Sequence, residues 1–171
     1  ALTELVQEGA ERLILDLRNN PGGYLQAAVQ IAGNFLKPGE LVVSTVDRKG
    51  ERTEYRTEET PVFKGRNVVV LVDEYSASSA EILAGALQDH GAAVLLGGRT
   101  FGKGTVQGVI PLDSGGALKI TQARYHTPKD RIIDGQGLAP DVQVLTPGLH
   151  IAAARRYLEQ PEKVTLSFEL N

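Results

Sequence analysis

The chain has 171 residues, 42% of them hydrophobic, which is enough for one domain with a real core. Its formal net charge of −3, with no cluster of lysines and arginines, leaves no electrostatic footprint for nucleic acid or an anionic membrane surface. No apolar run approaches the ~20 residues of a membrane-spanning helix, and without cysteine there is neither a disulfide frame nor thiolate chemistry.

Residues 1 to 10 read as the end of an amphipathic helix, with Leu2, Leu5 and Val6 on one face and Gly9 as its stop. Leu13 to Leu17 is a short apolar run, the pattern of a buried strand, and it leads into Arg18-Asn19-Asn20-Pro21-Gly22-Gly23, a turn by composition. Tyr24 to Leu36 carries helical periodicity through Leu25, Val29, Ala32 and Phe35. Leu41 to Val46 and Glu51 to Arg56 alternate apolar and polar around Lys49-Gly50, which predicts a hairpin with a solvated charged face.

The stretch from Val68 to Gln107 holds the residues with chemical potential. A buried-strand run, Val68 to Val72, ends in an acidic turn and three serines, Ser76, Ser78 and Ser79. A helical pattern follows through Ile82, Leu83, Ala86 and Leu87, then a second apolar run, Ala92 to Leu96, and a glycine-rich loop around Lys103. Strand, sharp turn with hydroxyls, helix, strand and loop is a layout that offers a nucleophile at a helix N-terminus and a second reactive group nearby. The serines have a plainer reading too: Ser78 and Glu81 fit a capping box, in which serine and glutamate satisfy each other's backbone amides. Gly97 to Lys103 matches most of a phosphate-binding loop, but Gly104 stands where that loop needs a hydroxyl, and Thr105 to Ile110 reads as a strand rather than a helix.

Beyond it, Val109 to Leu112 and Leu118 to Tyr125 read as strands joined by Asp113-Ser114-Gly115-Gly116. Residues 127–131 and 134–137 are loops, Ile151 to Leu158 is helical with Arg155 and Arg156 outward, and Val164 to Phe168 alternates like a strand. His90, His126 and His150 show no metal-ligand spacing. His90 falls at a helix C-terminus, where it suits the dipole. A Ser–His–Asp arrangement through His126 stays open, though Lys103 with Gln107 is the better pairing.

Two strings, Ser76 to Leu87 (SASSAEILAGAL) and Phe101 to Gln107 (FGKGTVQ), closely resemble the core of the C-terminal processing peptidases, also called tail-specific proteases. The resemblance also covers Asp16 to Gly23 (DLRNNPGG), Ala123 to Pro128 and Pro140 to Val142, and so spans roughly residues 10 to 145. These are serine proteases with a Ser–Lys dyad. The resemblance implies Ser78 as nucleophile, Lys103 as general base and Gln107 as the amide that orients the lysine. It puts the oxyanion hole on the amides of a glycine and Ser79, with Gly23 favoured over Gly22, and gives Gly22, Glu81, Asp89 and Thr100 supporting places. Two departures from the family are small: Ser79-Ala80 stands where Ala-Ser is common, and Lys129-Asp130 replaces a smaller turn.

The residues make chemical sense in these roles. A serine hydroxyl needs a neighbouring base, and lysine can be that base only when neutral, which calls for a surround that excludes water and holds no carboxylate. Only glycine lets backbone approach an oxyanion without an intervening side chain. No metal or cofactor is implied.

The alternation of strands and helices predicts an α/β class. The resemblance makes it a crotonase/ClpP-like spiral of strand–strand–helix units, with residues 1–171 as a single protease core domain whose C-terminal helix and strand fill 146–171. Methionine is absent even at position 1, so the chain reads as a fragment of a longer protein, without the PDZ module and preceding strand that relatives carry. The activity implied is cleavage of proteins near their C-termini through an acyl-enzyme, with substrate C-termini and the PDZ module as partners and homo-oligomerisation open. The implied location is extracytoplasmic, in periplasm, cell envelope or thylakoid lumen. A catalytically inactive binding or scaffolding domain and a non-proteolytic crotonase-like acyl enzyme are the alternatives.

Overall fold

The computed structural model describes residues 1–63 and 67–160. Its organising element is the strand β4 (Asn67–Val72), whose apolar run is buried residue after residue from Val68 on. A run without alternation suits a strand covered on both faces, which is the situation in a parallel sheet. β4 pairs in parallel with β1 (Arg12–Asp16) on one side and β5 (Val94–Gly97) on the other. A short β8 (Val142–Gln143) extends β5, so the parallel order is β1-β4-β5-β8.

Because side chains alternate along a strand, β4 feeds two cores. Val68, Val70 and Val72 join the larger one with α2 (Leu25–Ala32) and α3 (Ser79–Asp89). Val69 and Leu71 join Leu96, Val142, Val144 and the Ala153 and Ala154 face of α4 (His150–Glu159). Each fully buried aliphatic contributes about 1.5–3 kcal/mol, so the five buried residues of this strand support both cores at once.

The second sheet is antiparallel, in the order β3-β2-β7-β6: β3 (Arg52–Arg56), β2 (Leu41–Asp47), β7 (Ala117–His126) and β6 (Thr105–Pro111). Its inner face adds Val42, Val43, Val106 and Tyr125 to the larger core. The α/β class predicted from the sequence is the one observed.

Several elements differ in extent from the sequence expectation. The helix expected over Tyr24 to Leu36 ends at Ala32, and the Asn34 amide caps it by donating to the carbonyls of Gln30 and Ile31. The first helix, α1 (Leu2–Gln7), has no fully buried residue. β6 starts at Thr105, directly after the lysine loop, as the strand pattern of Thr105 to Ile110 predicts. The strand expected over Val164 to Phe168 lies outside the described residues.

Candidate active site

In a parallel sheet all strands point the same way, so the loops that leave their C-terminal ends gather along one edge. The order β1-β4-β5 therefore sets three loops side by side. The loop after β1 carries Gly22 and Gly23, the turn after β4 carries Ser78, and the loop after β5 carries Lys103, with the serine turn in the middle.

Asp73 and Ser76 build the central turn. The buried Asp73 carboxylate accepts the amides of Tyr75 and Ser76 at 3.0 Å and the Ser76 hydroxyl at 3.1 Å. It also accepts the amide of Asn19, at 3.0 and 3.1 Å, from the neighbouring loop. The Ser76 hydroxyl shares its one proton between that carboxylate and the Leu17 carbonyl, at 2.8 Å, a second tie between the same two loops. The sequence reading passed over Asp73 and Asn20, although an aspartate at a strand end with a serine three places on is the signature of a side-chain-capped turn.

Ser78, half-buried, sits at the junction of this turn with α3 with φ +57° and ψ −121°. A residue with a side chain held there carries about 1–3 kcal/mol of strain, and such strain concentrates at functional turns. Strand-to-helix turns that present a serine nucleophile share this strained geometry. The capping box expected from Ser78 and Glu81 is present, and in it Glu81 Oε2 accepts the Ser78 amide at 2.9 Å.

Gly22 lies flush against this turn. A Cβ on it would stand 2.7 Å from both the Ala77 carbonyl oxygen and Ser78 Cβ, and 3.0 Å from the Ser79 nitrogen. Its φ of +97° also excludes a side chain. Asn20 holds the loop in place: its carbonyl accepts the Ala77 amide and its Oδ1 accepts the Gly22 amide, both at 2.9 Å. The Gly22 amide is thus engaged, whereas those of Gly23 and Ser79 have no acceptor among the described residues.

Glu81 links the serine turn to the lysine loop. Its side chain is fully buried, and besides the Ser78 amide its Oε2 accepts the Lys103 amide at 2.8 Å. Oε1 accepts the Gly102 amide at 2.8 Å and the Thr100 hydroxyl at 2.5 Å. Thr100 in turn accepts the Leu138 amide at 2.7 Å. Gly104 packs directly on backbone, since a Cβ there would fall 2.2 Å from the Asp134 nitrogen. The glycine-rich character of the loop thus serves its docking on residues 134–137.

The Lys103 side chain itself is exposed and makes no hydrogen bond or ion pair among the described residues. Among the described residues the water-excluding surround expected around it is absent, and neighbouring Phe101 is also exposed, at 65%. Gln107 makes no hydrogen bond to the lysine among the described residues. Its amide nitrogen donates to the hydroxyls of Thr105 and Thr121, both at 2.9 Å, on the far side of an irregularity in the β6–β7 pairing between Val106 and Gln107.

Asp89 stands at the opposite end of α3, about 16 Å along the helix from Ser78. There its carboxylate accepts the Lys129 amide at 2.8 Å and pairs with Arg131 at 2.5 Å, pinning the 127–131 loop. His126 lies at the end of β7 with Nδ1 2.9 Å from Asp130, and the hollow it lines contains none of the three loops. His90 caps α3 as expected, its Nε2 2.7 Å from the Leu41 carbonyl. No group of acidic residues and histidines among the described residues could hold a metal ion.

Known proteins resemble this chain in sequence and fold. The profile of Peptidase family S41 matches residues 1–144. A chloroplastic carboxyl-terminal-processing peptidase of Arabidopsis thaliana is 44% identical over 146 residues, which is 85% of this chain and 28% of that protein. A carboxyl-terminal-processing protease of a Picosynechococcus strain is 45% identical over 141 residues, 82% of this chain and 34% of the relative. Among solved structures, a photosystem II D1 C-terminal processing protease superimposes with a TM-score of 0.80 at 40% identity, covering 85% of this chain and 37% of that one. The chain spans about a third of the length of the curated relatives it matches. A matched profile over most of the chain, together with this fold, shows that the chain belongs to peptidase family S41.

Proposed function

We propose that this chain is the catalytic core of a serine peptidase that cleaves proteins near their C-termini through an acyl-enzyme. Ser78 attacks the scissile carbonyl, Lys103 takes the serine proton and returns it to the leaving amine, and the amides of Gly23 and Ser79 hold the oxyanion. The observation that carries this reading is the Glu81 carboxylate, which ties the backbone of Ser78 and that of Lys103 to a single buried group. The two unengaged amides beside Ser78 supply the second requirement, donors ready for developing negative charge. Of the two glycines, Gly23 fits better, since the Gly22 amide is engaged by Asn20.

The exposure of Lys103 sets a condition on this mechanism. Removal from water favours the neutral amine that a general base needs, so Lys103 becomes competent when substrate or another part of the protein covers it and Gln107 is released from Thr105 and Thr121. On this reading the isolated chain is poorly active, and a PDZ module elsewhere in the full protein, together with a bound C-terminus, completes the site. The location would be outside the cytoplasm, as the chloroplastic and cyanobacterial relatives suggest.

The exposed lysine and the helix-capping geometry of Ser78 also favour a second reading, an inactive binding domain. A serine-directed phosphonate separates the two, because only a nucleophilic Ser78 is labelled. The principal test is the pH–rate profile of peptide cleavage by the full-length protein, wild type against Lys103→Ala. Activity that rises with pH and vanishes in the variant, with the fold intact, supports the dyad. Retention of activity in Lys103→Ala overturns it.

A further inference from the structure

The aromatic residues of this chain are distributed unevenly. Eight of them lie among the described residues. Phe35, Phe63 and Tyr125 are buried in the larger core, and Tyr55 and Tyr157 are half-buried. The remaining three are exposed: Tyr24 at 86%, Tyr75 at 60% and Phe101 at 65%. Each of these stands on a different one of the three loops that meet at Ser78. Tyr24 follows Gly23, Tyr75 precedes Ser76, and Phe101 precedes Gly102-Lys103.

Backbone contacts hold all three around the serine turn. The Phe101 amide donates to the Ser76 carbonyl at 3.0 Å, and its two neighbours in sequence both bond Glu81. The Tyr75 amide is fixed by Asp73 at 3.0 Å. Gly23, next to Tyr24, comes close to the Ser79 side chain, since a Cβ there would lie 3.8 Å from Ser79 Oγ. Single exposed apolar residues are ordinary on protein surfaces, whereas a grouping of them marks a place where something binds. Aromatic rings bring large contact area with few torsions to freeze, which is why they dominate binding surfaces.

We propose that Tyr24, Tyr75 and Phe101 form a rim that grips apolar side chains of the peptide on either side of the bond presented to Ser78, and so select segments rich in such residues. This rests on the reading of Ser78 as a nucleophile, which fixes the occupant as an extended peptide chain. The rim also answers the open state of Lys103. Apolar side chains seated between Phe101 and the serine turn would remove water from the lysine beside them, so that the substrate itself supplies part of the missing surround.

The test uses Ser78→Ala protein, in which binding is read without turnover, and two peptides that differ only in carrying leucines or glycines around a central bond. Binding is followed by calorimetry and by amide chemical shifts of residues 22–25, 74–79 and 100–104. The leucine peptide should bind about tenfold tighter than the glycine peptide. Replacing Tyr24, Tyr75 and Phe101 together with serine should erase that difference while denaturation midpoints stay close to wild type. The three single variants serve if the triple variant fails to fold. Equal affinity for both peptides, a preference that survives the replacements, or no binding of either peptide at millimolar concentration overturns the rim. In parallel, full-length protein with Ser78 intact is treated with leucyl and glycyl phosphonates. Absence of labelling by both refutes the peptidase reading, whereas equal labelling by both leaves that reading standing and refutes the rim.

Discussion

Replacing Glu81 with glutamine keeps the size and shape of the side chain and changes only what it can accept. The carboxylate receives four donors, two on each oxygen: the Ser78 and Lys103 amides on Oε2, and the Thr100 hydroxyl and Gly102 amide on Oε1. Glutamine has one oxygen and one NH2 group: turned toward the Ser78 and Lys103 amides the NH2 loses both bonds, and turned the other way it loses the Gly102 amide but can donate to the Thr100 hydroxyl. Hydrogen bonds to a charged group contribute about 1.5–3 kcal/mol each, which places the loss of one or two of them at roughly 1.5–6 kcal/mol. Against a total stability of about 5–15 kcal/mol for a domain, that is large and easily read by urea denaturation. Labelling of Ser78 by a phosphonate in conditions where the variant stays folded should slow at least about tenfold, because the turn and the lysine loop are no longer tied together. A stability change below about 1 kcal/mol with unchanged labelling would refute the reasoning, since it would mean that water or a rearranged loop satisfies these donors as well as the carboxylate does.

Gly22→Ala should destabilise the chain by at least about 1–3 kcal/mol from backbone strain alone, and further because the new methyl meets the Ala77 carbonyl and Ser78 Cβ; denaturation together with phosphonate labelling checks it. Asp73→Asn removes acceptor capacity from a buried group that serves the Asn19, Tyr75 and Ser76 amides, with an expected loss of about 2–4 kcal/mol measured the same way. The hydrogen bond from Arg18 holds the Asp16 carboxyl below its ordinary range, opposed by partial burial. That contribution is present above the ordinary carboxylate pKa and fades as pH falls through the lowered native value, so the stability difference between wild type and Arg18→Gln should shrink on acidification. Carbon-detected titration of Asp16 should show its midpoint rising in the variant. Burial raises the Tyr125 hydroxyl, so folding stability should decline as pH climbs past the ordinary tyrosine range toward that raised value. Tyr125→Phe should lessen the decline.

Sequence by itself determined the features that depend on neighbours along the chain. The unbroken apolar run at Val68–Val72 declared a strand, and β4 is one. Ser78 with Glu81 three places on declared a capped helix start, and α3 begins there. The hairpin around Lys49-Gly50 and the strands flanking Asp113 to Gly116 were legible for the same reason: alternation and turn residues act locally. Tertiary structure decided what depends on groups far apart in sequence. Only the packing of parallel strands brings Asn19 to Asp73, and Lys103 to Glu81, across 54 and 22 positions. Only the pairing of β6 with β7 hands the Gln107 amide to Thr121. The two-residue β8 carries too little pattern to be seen until it lies against β5. The exposure of Lys103 escaped the sequence as well, because its glycine neighbours announce that backbone can come close without saying which side the side chain takes. Periodicity reports what a segment wants to bury, while the partner it buries against, and the water left over, are settled by the fold as a whole.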